Sequence, residues 1–279
     1  MDQEKTNYGA YGLRLARLEG SRELLVQAPA DWPSLEVDAK VGDAKASWTD
    51  CVSNDRAELV LLTGGGVRID RDPLRAVYTV PRPLSDQELI HPYLAVAATI
   101  AGRWLGRESF HAGAVVIDGG AWALVGERGT GKSSTLGWLA LHGYEVLCDD
   151  ALIVAGGCVF AGPRAVDLRA EAARCLQAGE ELGLVGGRER WRLTLGPVKP
   201  VVPLRGWFFL DWDDEISTNA VRPRDRLSEL ARHRAVRLPP LEPGMLLALS
   251  ALPAWRLRRP RDWSSLESAA TALLAAIGR

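Results

Sequence analysis

The stretch Ala123-Leu-Val-Gly-Glu-Arg-Gly-Thr-Gly-Lys-Ser-Ser-Thr135 decides how this chain is read. Gly126 is followed, after four residues, by Gly131-Lys132-Ser133; an apolar run from Ala121 to Val125 precedes it and a helical pattern from Ser134 to Leu141 follows. A phosphate-binding loop requires this strand-loop-helix context. Its glycines let the backbone fold back so that consecutive N–H groups point at phosphate oxygens. The helix behind it adds its positive N-terminal end. Gly126, Glu127, Arg128, Gly129, Thr130, Gly131, Lys132, Ser133 and Ser134 are therefore expected to cradle the phosphates of ATP. Lys132 would reach the β- and γ-phosphates, and the Ser133 hydroxyl would sit on Mg²⁺. The plain alternative is a glycine-rich turn between a strand and a helix. Lysine occurs only at Lys5, Lys40, Lys45, Lys132 and Lys199, which makes a chance Gly-Lys-Ser at this spacing improbable.

Gly143 ends the helix as a C-terminal cap. Tyr144 to Cys148 then reads as a second buried strand, expected beside the loop strand, and it ends in Asp149-Asp150. A carboxylate there belongs to a Mg²⁺-phosphate site. Two adjacent carboxylates can divide the work, one facing the metal and the other the hydroxyl to be deprotonated. A solvated acidic turn is the competing reading, and its weight falls because the pair follows the loop lysine so closely.

His111-Ala-Gly-Ala-Val-Val-Ile117, the Gly-rich loop, the short helix and His142-Gly-Tyr-Glu-Val-Leu-Cys-Asp-Asp150 together resemble the catalytic core of the HPr kinase/phosphorylase family. That family includes divergent kinases found beside peptide natural-product pathways, lasso peptides among them. The resemblance is close over Phe110 to Val154 and in outline over the rest of the C-terminal half. It implies an α/β fold of the P-loop, phosphoenolpyruvate-carboxykinase-like type, with ATP and Mg²⁺ as cofactors and phosphate transfer to a hydroxyl. By position it makes Asp149 the base, Asp150 its metal-side partner and His111 a phosphate-proximal residue, with Lys132 completing the catalytic set. Arg128 stands where the family usually has Ser, and Ser134 where it has an acidic residue. The segment Glu-Ile-Arg-Gly-Leu-Gly that marks the bifunctional enzymes is absent. Its nearest echo is Val166-Asp-Leu-Arg169, in which Asp167 would join Ser133 and Asp150 around the metal. These departures count against HPr itself as acceptor and against the phosphorylase reaction.

Composition is that of an ordinary globular protein, with 47% hydrophobic and 25% charged residues over 279 positions. A formal net charge of −1 gives no reason to expect a nucleic-acid or anionic-membrane surface. Cys51, Cys148, Cys158 and Cys175 have neither zinc nor disulfide spacing. The start Met1-Asp-Gln-Glu-Lys5 is polar and no run has the apolar length of a membrane span, so the chain is expected to be cytoplasmic.

Residues 1–83 read as a small β-rich unit, with strands within Leu13–Leu18, Leu24–Val26, Ala57–Leu62 and Ala76–Val80. Residues 84–279 form the kinase-like part. A capping box at Ser85 and Glu88 opens a helix expected to run to about Leu105, with Leu89, Tyr93, Val96, Ala97 and Ile100 facing inward. Gly156-Gly157 marks a hairpin, Gly183 to Arg190 a mobile loop, and Asp211 to Glu215 a solvated acidic turn. A second capping box, Ser264 to Glu267, opens the last helix. Arg128, Arg169, Arg190 and Arg192 are the candidates to neutralise a transferring phosphoryl group. His91, His142 and His233 have no evident partner.

The reading favoured is a Mg-dependent kinase acting on a hydroxyl, of Ser or similar, in a peptide, protein or small molecule. A bifunctional kinase/phosphorylase and a nucleotide-gated peptide-binding module are the alternatives, and the Asp149-Asp150 pair argues against a pure binder. Neither a nucleic-acid nor a membrane partner is expected, and homo-oligomerisation is left open.

Overall fold

The computed structural model describes residues 7–42, 48–240 and 242–278, so the polar start Met1 to Lys5 lies outside the described residues. The protein is mixed α/β, and the described residues form sheets of eight, nine and three strands. The eight-stranded sheet lies wholly between Tyr8 and Val80. Its strands include Leu13–Ala16, Arg56–Val60 and Arg75–Val80 at the expected segments, whereas Leu24, expected to open a strand, ends the 3-10 helix Glu19–Leu24 and the strand there is Val26–Gln27. Ser34–Val41 and Gly66–Asp70, which the sequence reading passed over, supply much of its middle.

In the nine-stranded sheet the order begins Glu145–Cys148, Ala112–Ile117, Gly120–Val125, Val201–Trp212. Glu145–Cys148 is thus not the neighbour of the loop strand, contrary to expectation; Ala112–Ile117 lies between, antiparallel to both. Two antiparallel steps leave Glu145–Cys148 and Gly120–Val125 running the same way. Their C-terminal ends, Cys148 and Val125, therefore emerge on one edge of the sheet. That edge is where the Gly126 loop and Asp149 meet.

The sheet is covered on both faces, which its period-two pattern requires. Ala123, Val125, Trp207 and Phe209 join one buried cluster, whereas Leu124, Phe208 and Leu210 join another. The second cluster takes in Leu136 and Leu139 of helix Lys132–Leu141 and Leu273 of helix Ser265–Ala276. The first runs without interruption from Ala10 through Tyr78, Leu94 and Phe110 to Trp207. Residues on both sides of position 83 thus share one core.

Several elements differ from their sequence reading. The Ser85 capping box forms, with Glu88 N–H donating to Ser85 Oγ at 3.2 Å and Ser85 N–H to Glu88 Oε2 at 3.0 Å. The helix it opens is broken at His91, which is extended (φ −149°, ψ 119°) before Pro92, and resumes as Leu94–Trp104. A residue preceding proline is pushed out of the helical region, and that signal was missed. Gly183 to Arg190 is no loop: Glu180–Val185 and Arg188–Thr194 form a hairpin across Gly186-Gly187, whose φ values are 61° and 78°. Two positive φ angles are what a two-residue hairpin turn demands. The last helix is capped by Asp262, whose Oδ1 accepts from Ser265 N–H at 2.9 Å, and Ser264 makes no side-chain cap. Asp211 lies in the strand Val201–Trp212 and pairs with Arg256.

The shared core carries a prediction. Tyr11 is fully buried, its N–H donates to Ala161 O at 2.6 Å, and Leu24 O accepts from Arg164 N–H at 2.8 Å. A chain starting at Leu84 would expose these contacts together with Leu94, Ala97 and Phe110. It is expected to lose cooperative thermal unfolding, with ANS binding at ambient temperature. A cooperative melt close to that of the full chain would show that residues 84–279 are self-sufficient.

Candidate active site

The loop between Val125 and Lys132 is built by constraints that only glycine meets. Gly129 and Gly131 have φ of 91° and 88°. A Cβ on Gly126 would lie 2.7 Å from Thr130 Oγ1 and 2.8 Å from Leu210 O; on Gly131 it would lie 2.5 Å from Arg259 Nη2. Glu127, Arg128 and Gly129 form the exposed tip, and Thr130 is buried with its hydroxyl donating to Glu127 O at 2.8 Å. Lys132 is buried, and its Nζ donates to Gly126 O at 2.7 Å and Glu127 O at 3.1 Å. Burial pulls its pKa below the ordinary lysine value, against the opposing charge of Asp149. The ammonium therefore lies inside the ring of loop atoms. Ser133 and Ser134 are half-buried on the first turn of the helix.

Ser133 Oγ donates to Asp149 Oδ1 at 3.2 Å. The serine thus meets Asp149 and not Asp150, although Asp150 was expected on its side. Asp149 is 2% exposed, and its second oxygen, Oδ2, is buried with no hydrogen-bond partner among the described residues. Burial, reinforced by the charge of Asp150, pushes its pKa up to about 7. Asp150 has a left-handed backbone (φ 64°), which turns its side chain away from the strand direction. Its carboxylate is partly exposed, with Oδ2 3.7 Å from Arg188 Nη2 and 3.9 Å from His91 Nε2. Despite burial, the nearby His91 and the arginines hold its pKa below the usual range. His111 also belongs here: its Nδ1 lies 3.1 Å from Asp150 O, and burial, then Lys132, depress its pKa. Tyr11 from the N-terminal sheet reaches the same spot, its hydroxyl donating to Asp149 O at 3.4 Å.

Asp167 is placed differently from the metal role read for it. Its Oδ1 accepts from Arg192 Nε at 2.8 Å, and its Oδ2 from Arg192 Nη2 at 3.1 Å and Arg190 Nη1 at 3.2 Å. Both oxygens are engaged by two buried guanidiniums, and no hydrogen bond among the described residues joins Asp167 to Ser133 or Asp150. Asp167 and Arg192 are direct cross-strand partners in the three-stranded sheet. Arg192 Nη2 also donates to His91 O at 2.8 Å, tying this ion cluster to the break in the helix. His91 is 1% exposed, and neither ring nitrogen has a hydrogen-bond partner among the described residues. Its Nε2 lies 3.6 Å from Asp167 Oδ2, so His91 sits between the two carboxylates. Sequence reading missed His91, Arg188 and Arg259. Only Pro92 after His91 and the Gly186-Gly187 turn before Arg188 offered signals. Arg259 had none: its guanidinium stacks 4.4 Å over Trp212 and buttresses the loop at Gly131.

The residues fit a magnesium-nucleotide site. Mg²⁺ takes one or two protein oxygens together with phosphates and waters, so a cage of side chains is not needed. Ser133 Oγ and the orphaned Asp149 Oδ2 are such oxygens. Among the described residues no group of three or more His, Cys, Asp or Glu side chains is gathered as a metal cluster. Nor does any helix of the described residues have the length and apolarity to cross a membrane.

The raised pKa of Asp149 has a measurable sign. A carboxyl group with a folded pKa near 7, against the ordinary 3.8, contributes stability that is fully present below pH 3.8 and is lost as pH rises from there through about 7. In chelator, Asp149→Asn should melt higher than wild type, by more at about pH 8 than at about pH 5. Thermal melts at the two pH values check this, and an equal or reversed difference contradicts it.

No protein-family profile matches the chain, and no curated protein does. Among solved structures it is similar to the Hpr(Ser) kinase/phosphatase from Coxiella burnetii, with a TM-score of 0.31 and 16% sequence identity. That match spans 61% of this chain and 96% of the other.

Proposed function

We propose that the chain is a Mg-dependent kinase that moves the γ-phosphoryl group of ATP to a hydroxyl. The observation that carries this reading is the contact of Ser133 Oγ with Asp149 Oδ1 below the Gly126–Lys132 loop, with a second, ionised carboxylate beside it. Phosphate binding alone would need the loop and its lysine. A transferase needs in addition a group to accept the hydroxyl proton, and Asp150 is that group.

In this reading the loop N–H groups and Lys132 hold the β- and γ-phosphates, and Ser133 and Asp149 hold the metal. Mg²⁺ supplies charge neutralisation at the β- and γ-oxygens. The roles of the two aspartates are thus exchanged relative to the sequence expectation. Asp149 is fixed to Ser133 and buried where a cation would offset its desolvation. Asp150 is partly exposed and ionised, and its carboxylate faces Arg188 and His91. The acceptor oxygen bonds to the γ-phosphorus as its proton passes to Asp150; the bond from that phosphorus to the β–γ bridging oxygen breaks, and ADP leaves with the electron pair. His111 steadies Asp150 through its carbonyl oxygen.

The acceptor is a hydroxyl-bearing peptide, protein or small molecule, with a peptide tailoring role as the specific form. The hairpin turn and the N-terminal unit are the surfaces assigned to it. The hairpin turn reaches the N-terminal sheet, where a Cβ on Gly187 would meet Thr63 Cγ2 at 3.3 Å and Arg82 Nη2 donates to Leu184 O at 3.4 Å. Mass spectrometry of candidate hydroxyl peptides incubated with Mg·ATP tests the reading. The expected product carries one phosphoryl group and appears only with metal. An adenylylated product, or inorganic phosphate released from the substrate, would replace it with another chemistry.

A further inference from the structure

We infer that Arg188, beside Asp150, is the residue that clamps the phosphoryl group during transfer; the inference rests on the kinase reading above. The four arginines proposed from sequence are unsuited to this task. Arg190 and Arg192 are both buried and locked to Asp167, and Arg190 Nε also donates to Val185 O at 2.9 Å. Arg128 and Arg169 are exposed, and no hydrogen bond or ion pair among the described residues joins either to Asp149, Asp150 or Lys132. Arg188 was not among the candidates.

Its position follows from the strand. Arg188, Arg190 and Arg192 alternate with Glu189, Trp191 and Leu193 along Arg188–Thr194, so the three guanidiniums share one face. Trp191 and Leu193 on the other face pack against the buried cluster below the loop helix, which fixes that face's direction. The inner two arginines meet Asp167. The outermost, next to the Gly186-Gly187 turn, comes to Asp150 instead.

Arg188 differs from its neighbours in what holds it. Its side chain is 29% exposed, and its partner is Asp150 Oδ2 at 3.7 Å, beyond hydrogen-bond range. Among the described residues no hydrogen bond engages its guanidinium, so its N–H fork is available. Three arginines face two ionised carboxylates, Asp150 and Asp167, and the surplus positive charge lies at the exposed end of the row. A dianionic phosphoryl group arriving from the Lys132 side would meet that charge at Asp150. The guanidinium fork matches two phosphoryl oxygens geometrically, where an ammonium would offer a point charge. While the γ-phosphorus forms its bond to the acceptor oxygen and releases ADP, Arg188 binds the peripheral oxygens and Asp150 takes the proton. Such a contact strengthens as the phosphoryl group moves away from ADP, so it serves the transition state and not the bound nucleotide.

Mg·ADP with aluminium fluoride, a mimic of the phosphoryl group in transfer, tests this without an acceptor. Calorimetry on the full chain should show the fluoride complex binding tighter than Mg·ADP alone, by about 10²-fold or more. Arg188→Ala should erase most of that gain while binding Mg·ADP alone within about twofold of wild type. Should Arg188→Ala fail to fold, Arg188→Lys is read the same way, since lysine keeps the charge and loses the fork. A variant that retains the fluoride gain overturns the assignment. So does one that weakens Mg·ADP equally, which marks a structural residue. Wild type that binds Mg·ADP but gains nothing from fluoride overturns it too. Wild type that fails to bind Mg·ADP at all sinks the kinase reading itself, and the clamp with it.

Discussion

Lys132→Ala is expected to strip the chain of most of its affinity for Mg·ATP. The Lys132 ammonium is buried, held by Gly126 O and Glu127 O at the centre of the loop. A charge-assisted contact to phosphate is worth roughly 1.5–3 kcal/mol, or about tenfold to more than a hundredfold in dissociation constant. Calorimetric titration of the variant measures this loss, with a thermal melt to establish that it is folded. A variant that binds Mg·ATP like wild type would detach Lys132 from the nucleotide.

The two aspartates should fail in different ways. Asp150→Asn removes the proton acceptor and is expected to lower turnover by about 10²–10⁴-fold while leaving Mg·ATP affinity nearly intact. Asp149→Asn removes the partner of Ser133 on the metal side, so it should weaken nucleotide binding in the presence of Mg²⁺ and have little effect in chelator. Both variants are near-isosteric and neutral. A comparison of titrations with and without Mg²⁺ separates them before any acceptor is known. If Asp149→Asn keeps metal-dependent affinity and Asp150→Asn loses it, the roles return to those the sequence motif implied.

The loop was legible because its requirements are local. Gly126, Gly129 and Gly131 each answer a positive φ or a close approach within a few residues, and spacing alone records that. The Ser85 capping box and the Gly156-Gly157 hairpin were legible for the same reason. Asp149 was visible as a carboxylate ending a buried strand. Its pairing with Ser133 was not, because it depends on Ala112–Ile117 being inserted between the two strands so that their ends coincide. The Asp167 cluster was further out of reach. Asp167 and Arg192 are 25 residues apart, and they meet only through the antiparallel register of Ala165–Leu168 with Arg188–Thr194, a long-range pairing that spacing does not record. His91 looked like a histidine on a continuous helix. The break at Pro92 turned it inward between Asp150 and Asp167, and single-residue periodicity does not carry that information.

The central claim is that the backbone of Gly126–Ser134 cradles the phosphates of ATP next to Asp149 and Asp150. Hydrogen–deuterium exchange of the full chain with and without Mg·ATP tests it most directly, because the claim concerns amide groups. Bound nucleotide is predicted to slow exchange in peptides covering Gly126–Ser134 and Asp149–Ala151, and the effect should vanish in Lys132→Ala. Saturable nucleotide binding that protects other segments and leaves Gly126–Ser134 unchanged would contradict the account.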